Sequence, residues 1–216
     1  YVWNEEQTEA YLKVGGKTVN THFTDSTGQN RTVRYRVPNK NQCKECHASG
    51  DSIVPIGPKP RNLDKDYDYP KQTMNQLVKW SQMSIIDGYP KSVEPVADFT
   101  DLSKDIEARA RAYLAINCGH CHSPKGSASS TGLYLNYSEQ RPKQLGILKP
   151  PVAAGRGSGG LNYSIVPGDP DASILLFRMI SDDPAIMMPE SGRSMVHQEA
   201  VALIDDWIKR MEGEAR

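Results

Sequence analysis

Two pentapeptides constrain this chain more than any other feature: residues 43–47 (Cys-Lys-Glu-Cys-His) and residues 118–122 (Cys-Gly-His-Cys-His). Each has the form C-x-x-C-H, which is the signature of covalent c-type haem attachment. In such a site the two thiols are joined to the haem vinyl groups, and the adjacent histidine binds the iron as its proximal ligand. The two motifs together contain all four cysteines of the chain. The sequence therefore predicts two c-type haems, and the residues that would hold them are Cys43, Cys46, His47, Cys118, Cys121 and His122.

Three other uses of these cysteines stand as alternatives. A zinc ribbon needs its C-x-x-C pairs about 15–20 residues apart, whereas these two pairs are separated by about 70 residues. The segment Cys-Gly-His-Cys also matches the redox pair of disulfide isomerases, but that pair begins a helix after a strand, and the residues before Cys118 are predicted to be helical. Structural disulfides give no reason for a histidine after each pair. Haem attachment is the interpretation that uses both cysteines and the final histidine of each motif.

Charge and composition exclude several classes of protein. The 216 residues include 26 Lys and Arg and 26 Asp and Glu, so the net charge is zero and the basic surface of a nucleic-acid-binding protein is not expected. Apolar residues make up 38% and aromatic residues 7%, and two haems would add large apolar groups to this thin core. No apolar run approaches the roughly 18 residues that span a membrane, so no transmembrane segment is predicted.

The expected location follows from the cofactor. Covalent c-type haem is assembled outside the bacterial cytoplasm, so we expect the protein in the periplasm, outside the cell or at the cell surface. The chain begins with Tyr1 rather than Met, which predicts that it is processed or trimmed.

The chain divides into three parts by pattern. Residues 1–40 are predicted to form an N-terminal β-hairpin extension, because the β-branched stretches 18–24 and 32–37 flank a turn-forming segment. Residues 41–95 are predicted to form the first c-type haem unit, with a helix over 72–86 whose apolar residues recur at helical spacing.

Residues 96–216 are predicted to form a second, cytochrome c-like domain. A helix capped by Ser103 should run to Cys118, a short helix capped by Asp171 should end near Ile180, and a last amphipathic helix should span about 198–211. The glycine-rich segment 155–160 is predicted to be a loop, since it lacks the ending of a phosphate-binding loop. The predicted fold class is mainly α, with two cytochrome c-like haem-binding units preceded by a short β-hairpin.

The sixth ligand of the second iron is predicted to come from the segment Ile-Met-Met-Pro at 186–189. A methionine before proline, roughly 65 residues after the haem motif, lies where small cytochromes c place their thioether ligand. Met188 is the favoured ligand and Met187 the nearest alternative. Both methionines could instead fill space in the core, as this flexible apolar side chain often does.

The sixth ligand of the first iron stays open. The candidates in the chain are Met74, Met83, His22 and His197, and a group outside the chain is a further alternative. His120 lies inside the second attachment segment and should point away from the iron, towards nearby backbone or a propionate. Arg156 and Arg193 lie in predicted loops, where each could pair with a haem propionate or be solvated.

Several segments resemble a family of secreted bacterial di-haem cytochrome c-like proteins, most of them of unknown function. The resembling segments are Tyr-Arg-Val-Pro-Asn-Lys-Asn-Gln-Cys (35–43), Pro-Ile-Gly-Pro-Lys (55–59), Ala-Arg-Ala-Tyr-Leu-Ala-Ile-Asn-Cys-Gly-His-Cys-His (110–122), Ile-Val-Pro-Gly-Asp-Pro-Asp-Ala-Ser-Ile-Leu (165–175) and Met-Met-Pro-Glu (187–190). The resemblance implies haem and a location outside the cytoplasm, but it implies no substrate. Members of the family usually carry further sequence ahead of the segment that resembles residues 1–12, so the resemblance also implies a missing N-terminal part.

The leading functional hypothesis is single-electron transfer between redox protein partners, because two haems in one compact chain can relay electrons. The first alternative is an enzyme, a di-haem peroxidase or oxidase with an open site at the first haem. The second is a haem-bearing subunit of an extracellular filament or surface assembly, which would make the protein a homo-oligomer.

Overall fold

The computed structural model describes residues 1–25, 27–56, 59–91, 93–152 and 155–211. Every sheet in this part of the chain is a two-stranded antiparallel hairpin. The strands are β1 (Val2–Trp3), β2 (Ala10–Tyr11), β3 (Lys17–Thr24), β4 (Asn30–Val37), β5 (Ala48–Ser49), β6 (Ser52–Ile53), β7 (Asp66–Tyr69) and β8 (Gln72–Asn75). All of them lie before residue 76, so the first half of the chain is built mainly from local strand pairs.

The long hairpin β3–β4 confirms the strand pair that the β-branched stretches predict. Its register runs from Lys17 opposite Val37 to Thr24 opposite Asn30. The carboxylate of Asp25 organises the turn, since its Oδ1 accepts hydrogen bonds from the backbone N–H groups of Thr27 at 2.9 Å and Gln29 at 3.0 Å. An aspartate that bonds the backbone two residues on is a common turn device.

The two longest described helices, each with several buried side chains, lie in the second half of the chain. They are α1 (Lys40–His47), α2 (Pro60–Leu63), α3 (Gln76–Gln82), α4 (Ile106–Asn117), α5 (Pro142–Leu145), α6 (Ile174–Ile180) and α7 (Gln198–Arg210). Short 3₁₀ turns occur at Ser129–Thr131 and Gly155–Ser158, and the second of these replaces the predicted glycine-rich loop. Among the described residues, no helix combines the length and the apolar character that crossing a membrane requires.

The main core forms where α4 packs against α7. Along α7 the apolar residues recur at spacings of three and four, which places them on one face of the helix. The core side chains are Ala110, Tyr113, Leu114, Leu135, Ile165, Leu176, Ala200, Leu203, Ile204, Trp207 and Ile208. This contact joins the helix before the second motif to the last helix.

The prediction of a mainly α fold is wrong. Helices account for 28% of the structure and strands for 19%, and the strands form small separate sheets. The sequence predicts one hairpin, whereas the first half of the described chain contains several. The β7–β8 pair has Tyr67, Tyr69 and Thr73, residue types that favour strands, yet the apolar stripe over 72–86 was interpreted as one helix.

The predicted helix boundaries also need correction. Residues Gln72–Asn75 form a strand, so the helix predicted over 72–86 begins only at Gln76. Asp105 rather than Ser103 caps α4, because its side chain accepts hydrogen bonds from the N–H groups of Glu107 and Ala108. The short helix predicted from Asp171 has Ser173 as its N-cap.

Candidate functional site

The second C-x-x-C-H segment continues directly from α4 in a tight turn. The backbone N–H groups of Cys121 and His122 both donate to the carbonyl of Cys118, at 3.1 and 2.9 Å. The chain then folds back so closely that a Cβ on Gly126 would lie 2.1 Å from the carbonyl oxygen of Cys121. A glycine is therefore required at this position, and the compact turn presents both cysteines and the histidine together.

A cavity of about 520 Å³ lies beside this turn. Cys118, Cys121 and His122 line it together with Met188, although Met188 lies far along the chain. Much of the remaining wall is aliphatic, and these residues are Leu114, Leu133, Leu135, Ile174, Leu175 and Met179. Its volume falls within the 300–1,000 Å³ that cofactor and ligand sites usually have. The residues present therefore fit a large apolar group that could be attached by two thiols, with an imidazole and a thioether in the same cavity as possible iron ligands.

Burial shifts the pKa values of two side chains that line this cavity, His122 and Cys118. Burial lowers the pKa of the His122 imidazole, which favours the neutral form that can bind a metal. The backbone of Leu133 is close enough to raise that pKa in part, but among the described residues the buried His122 Nδ1 has no hydrogen-bond partner. Burial also raises the pKa of the Cys118 thiol to about 12.

The loop that carries Met188 is tied to α6. The backbone N–H of Met188 donates to the carbonyl of Arg178 at 2.9 Å, and Arg178 Nε donates to the carbonyl of Ile186 at 2.8 Å. Met187 lines a different cavity of about 390 Å³, between this loop and the hairpin strand β4. The favoured candidate Met188 and its alternative Met187 thus line different cavities, and of the two only Met188 lines the cavity with His122.

The first C-x-x-C-H segment lies on α1. A capping box starts this helix: Asn39 Oδ1 accepts from the N–H groups of Asn41 and Gln42, and Gln42 Oε1 accepts from the N–H of Asn39 at 3.0 Å. Cys43, Cys46 and His47 follow at spacings of three and four, so they share one face of the helix.

A backbone contact orients His47. Its Nδ1 lies 2.9 Å from the carbonyl oxygen of Val54, a geometry in which Nδ1–H donates and Nε2 is left as a ligand atom. Metal-binding histidines usually have such a partner on their second nitrogen. The first motif is nevertheless shallow: Cys43 is exposed, and Cys46 and His47 are half-buried.

The two motifs touch each other, which sequence spacing did not indicate. Ligand atoms of Cys46, His120 and Cys121 all lie within 4.8 Å of one another. The thiol of Cys121 donates to the carbonyl of Glu45 at 3.0 Å. A hydrogen bond between the two thiols lowers the pKa of Cys121 and raises that of Cys46.

The candidate ligands for the first iron have other surroundings. His22 Nδ1 lies 2.9 Å from Thr32 Oγ1 on the exposed long hairpin, and Met74 Sδ lies 3.9 Å from Gln72 Nε2. Met83 ends α3 and is 57% exposed. His197 Nδ1 is 3.1 Å from the hydroxyl of Tyr113 in the α4–α7 region. These contacts single out none of the four as the ligand of the first iron.

The two arginines proposed for propionates are paired with protein groups. Arg156 forms an ion pair with Asp183 at 2.8 Å, and Arg193 donates to the carbonyl of Met179 at 2.6 Å. Arg178 lines the cavity instead, and it is not among the residues that the sequence predicted for the site. Its position on the short helix before the methionine segment was the only signal that could have found it.

The chain matched no protein-family model, no curated protein and no solved structure in the comparisons that were made.

Proposed function

We propose that this chain is a di-haem c-type cytochrome that transfers single electrons outside the cytoplasm. The observation that carries the proposal is the cavity beside α4, where Cys118, Cys121, His122 and Met188 meet. A thiol pair, an imidazole and a thioether around one apolar cavity are the donor set of a covalently attached haem with histidine and methionine ligands. The first motif supplies the same thiol pair and a backbone-oriented histidine on α1.

Each residue has a distinct role in this proposal. Cys43, Cys46, Cys118 and Cys121 would hold the haems as thioethers, since addition of each S–H bond across a vinyl group loses no atom. His47 and His122 would supply an imidazole to each iron, and Met188 would supply a thioether at the second site. The bound iron supplies the one-electron redox chemistry.

The cavity walls adjust that chemistry at the second site. Aliphatic side chains from α4, α6 and the segment 133–135 make up much of the cavity wall, and an apolar environment disfavours the more highly charged ferric state. A thioether ligand also raises the reduction potential. We therefore expect the second site to have the higher potential, since the first motif is more exposed.

The expected partners follow from the one-electron chemistry, and the zero net charge gives no reason to expect nucleic acid among them. Redox proteins are the expected donors and acceptors, in the periplasm or at the cell surface. Assembly into a filament of identical subunits would extend the haem chain, and sedimentation of the purified protein distinguishes it from a monomeric carrier.

The proposal is tested on protein produced with a c-type haem maturation system. We expect two covalent haems per chain by mass, and one haem in either Cys43→Ser/Cys46→Ser or Cys118→Ser/Cys121→Ser. Carbon monoxide should leave the spectrum of the dithionite-reduced protein unchanged. No covalent haem in matured protein would overturn the proposal, and a gas-sensitive wild-type spectrum would replace electron transfer with peroxidase or oxidase chemistry.

The distal role of Met188 has a matched pair of variants. Met188→Ala should make the second haem bind carbon monoxide, whereas Met187→Ala should leave it closed because Met187 lines the other cavity. The reverse pattern would assign the ligand to Met187.

One observation favours a second candidate function, binding of a soft metal ion. Cys46, His120 and Cys121 place two sulfur atoms and one nitrogen within 4.8 Å of one another, and zinc commonly takes such ligands in tetrahedral sites. The two functions exclude each other, since thioether formation uses the same thiols. Zinc content near one ion per chain, with no covalent haem after maturation, would support the metal site, and covalent haem on both motifs would eliminate it.

A further inference from the structure

Glu45 occupies a variable position of the first C-x-x-C-H motif, and attachment of a haem makes no use of its side chain. It nevertheless makes three contacts with the second half of the chain. Its carbonyl oxygen accepts from the thiol of Cys121 at 3.0 Å and from the hydroxyl of Ser127. Its carboxylate Oε2 accepts from the hydroxyl of Ser191 at 2.6 Å. Glu45 therefore touches both the second attachment turn and the loop that follows Met188.

The loop between α6 and α7, residues 181–197, is here called the methionine loop. On the α6 side it is held by Arg178, whose carbonyl accepts from the N–H of Met188, and by Arg193, which donates to the carbonyl of Met179. On the other side, the bond from Ser191 to Glu45 joins it to α1. Met188 thus lies between two attachments, one to its own domain and one to the first motif.

The contact with Ser191 has the properties of a charge-assisted bond. A hydroxyl that donates to a carboxylate typically does so at 2.5–2.7 Å and more strongly than to a neutral oxygen. Glu45, Met188, Glu190 and Ser191 also line the same cavity as His122. A change at Glu45 can therefore reach Met188 over three residues of one loop.

We propose that Glu45 is a positioning residue that couples the first haem motif to the methionine loop and holds Met188 in place at the second haem site. This inference rests on the proposed function and adds a link between the two sites. Anchoring of α1 by its own haem would be transmitted through Glu45 and Ser191 to the thioether ligand of the other haem. The hydrogen bond from the Ser127 hydroxyl to the Glu45 carbonyl involves neither the Glu45 side chain nor a thiol that haem attachment would use, so Glu45 variants should fold.

The test measures how easily added imidazole displaces Met188 in the ferric protein, followed by loss of the weak far-red band of thioether-ligated haem. Glu45→Ala and Ser191→Ala should each bind imidazole about three- to tenfold more tightly, since Glu45 is exposed and a typical solvent-accessible hydrogen bond contributes on this scale. The double variant should show no further increase, because both changes remove the same bond. Glu45→Gln should have an imidazole affinity between those of the wild type and Glu45→Ala, since its amide oxygen can still accept a hydrogen bond from Ser191.

Lys44→Ala is the matched control, because it changes the neighbouring position of the same motif on α1. Lys44→Ala should bind imidazole as the wild type does. The inference would be overturned if the affinity of Glu45→Ala were also within twofold of the wild type, or if the effects of Glu45→Ala and Ser191→Ala were additive in the double variant.

A second measurement needs no haem. Amide hydrogen exchange in the methionine loop of the haem-free chain should be faster in Glu45→Ala than in Lys44→Ala, while α7 is unchanged. Equal exchange in the two variants would overturn the inference, whatever the haem content. Suppose that no variant and no wild-type protein attaches haem, but that the methionine loop still exchanges faster in Glu45→Ala. The proposed function would then be overturned, while the link between α1 and the methionine loop through Glu45 and Ser191 would stand.

Discussion

Residues 1–105 and residues 106–211 each contain one C-x-x-C-H motif, but they are built in different ways. In the second region α4, α6 and α7 enclose a shared apolar core. Among the described residues of the first region, Leu77 is the only buried hydrophobic side chain. The first region is held instead by backbone pairing within hairpins and by helix caps.

This contrast predicts different contributions from the proposed haem in each region. The second region already has a core and a formed cavity, so a haem would fill a space that exists without it. Isolated hairpins are only marginally stable in water, and a region with one buried apolar residue lacks the hydrophobic burial that normally stabilises a domain. We expect the first region to depend on its haem, or on its contacts with the second region, for a stable fold.

The sharpest test of the comparison is hydrogen exchange on the haem-free chain. Amides of the β3–β4 hairpin should exchange at least about 100-fold faster than those of α4 and α7, because local opening is far easier than global unfolding. Attachment of haem should slow exchange around α1 more than around α4. Equal protection of the two regions without haem would show that the first region is stable by itself.

Large-to-small substitutions should separate the regions by several kcal/mol. Ile208 is fully buried in the core, so Ile208→Ala should lower the free energy of unfolding by about 2–5 kcal/mol. Ile85 is 57% exposed in the first region, and Ile85→Ala should change it by no more than about 0.5 kcal/mol. Urea unfolding followed by far-ultraviolet circular dichroism measures both, and similar losses would contradict the difference in packing.

Helix caps allow a comparison of stability between the two regions. The helix that carries the first motif (α1) and the helix that leads into the second (α4) both have a polar N-cap residue. Asp105→Ala should reduce global stability by about 0.5–2 kcal/mol, since α4 belongs to the main core. Asn39→Ala removes the capping box of α1, and its effect should appear in local exchange of α1 and in the yield of the first haem. A shift of the global unfolding midpoint by Asn39→Ala as large as that by Asp105→Ala would show that the regions unfold as one unit.

The smallest expected effect concerns pH. The Arg141 side chain lowers the pKa of Glu139 from 4.5 to about 2. A carboxylate with a lowered pKa stabilises the fold above its unfolded pKa, and this contribution is lost as the pH falls from about 4.5 towards 2. Glu139→Gln should therefore be less stable than the wild type at pH 7, with a difference that shrinks through this window in urea unfolding.

Asp25 provides the matched case in the first region. The hydroxyl of Thr27 and the guanidinium of Arg31 lower its pKa in the hairpin turn. Asp25→Asn should alter local exchange of β3 and β4 without changing global unfolding. A pH-dependent change in global stability by this variant would place the hairpin within the main cooperative unit.

The sequence predicted those features whose cause is local. Turn-forming residues around Asp25 identified the long hairpin, and helical spacing in α7 identified the last helix. It failed at 72–75, because the helix predicted from the apolar residues between 77 and 86 was extended back over residues that pair with Asp66–Tyr69 as a strand. Residues 72–75 contain one apolar side chain, Met74, which is too little for hydrophobic periodicity to distinguish a strand from a helical turn, and only the partner strand shows the pairing.

The site divides in the same way. The C-x-x-C-H spacing predicts the attachment and proximal residues without any structure, because each motif lies within a few residues of chain. The presence of Met188 and His122 in one cavity, the contact of Cys46 with Cys121, and the bond from Ser191 to Glu45 join residues distant in sequence. Such neighbours depend on how α4, α6 and α7 pack and on where α1 docks, so the chemistry of each motif is local while the link between them comes from tertiary packing.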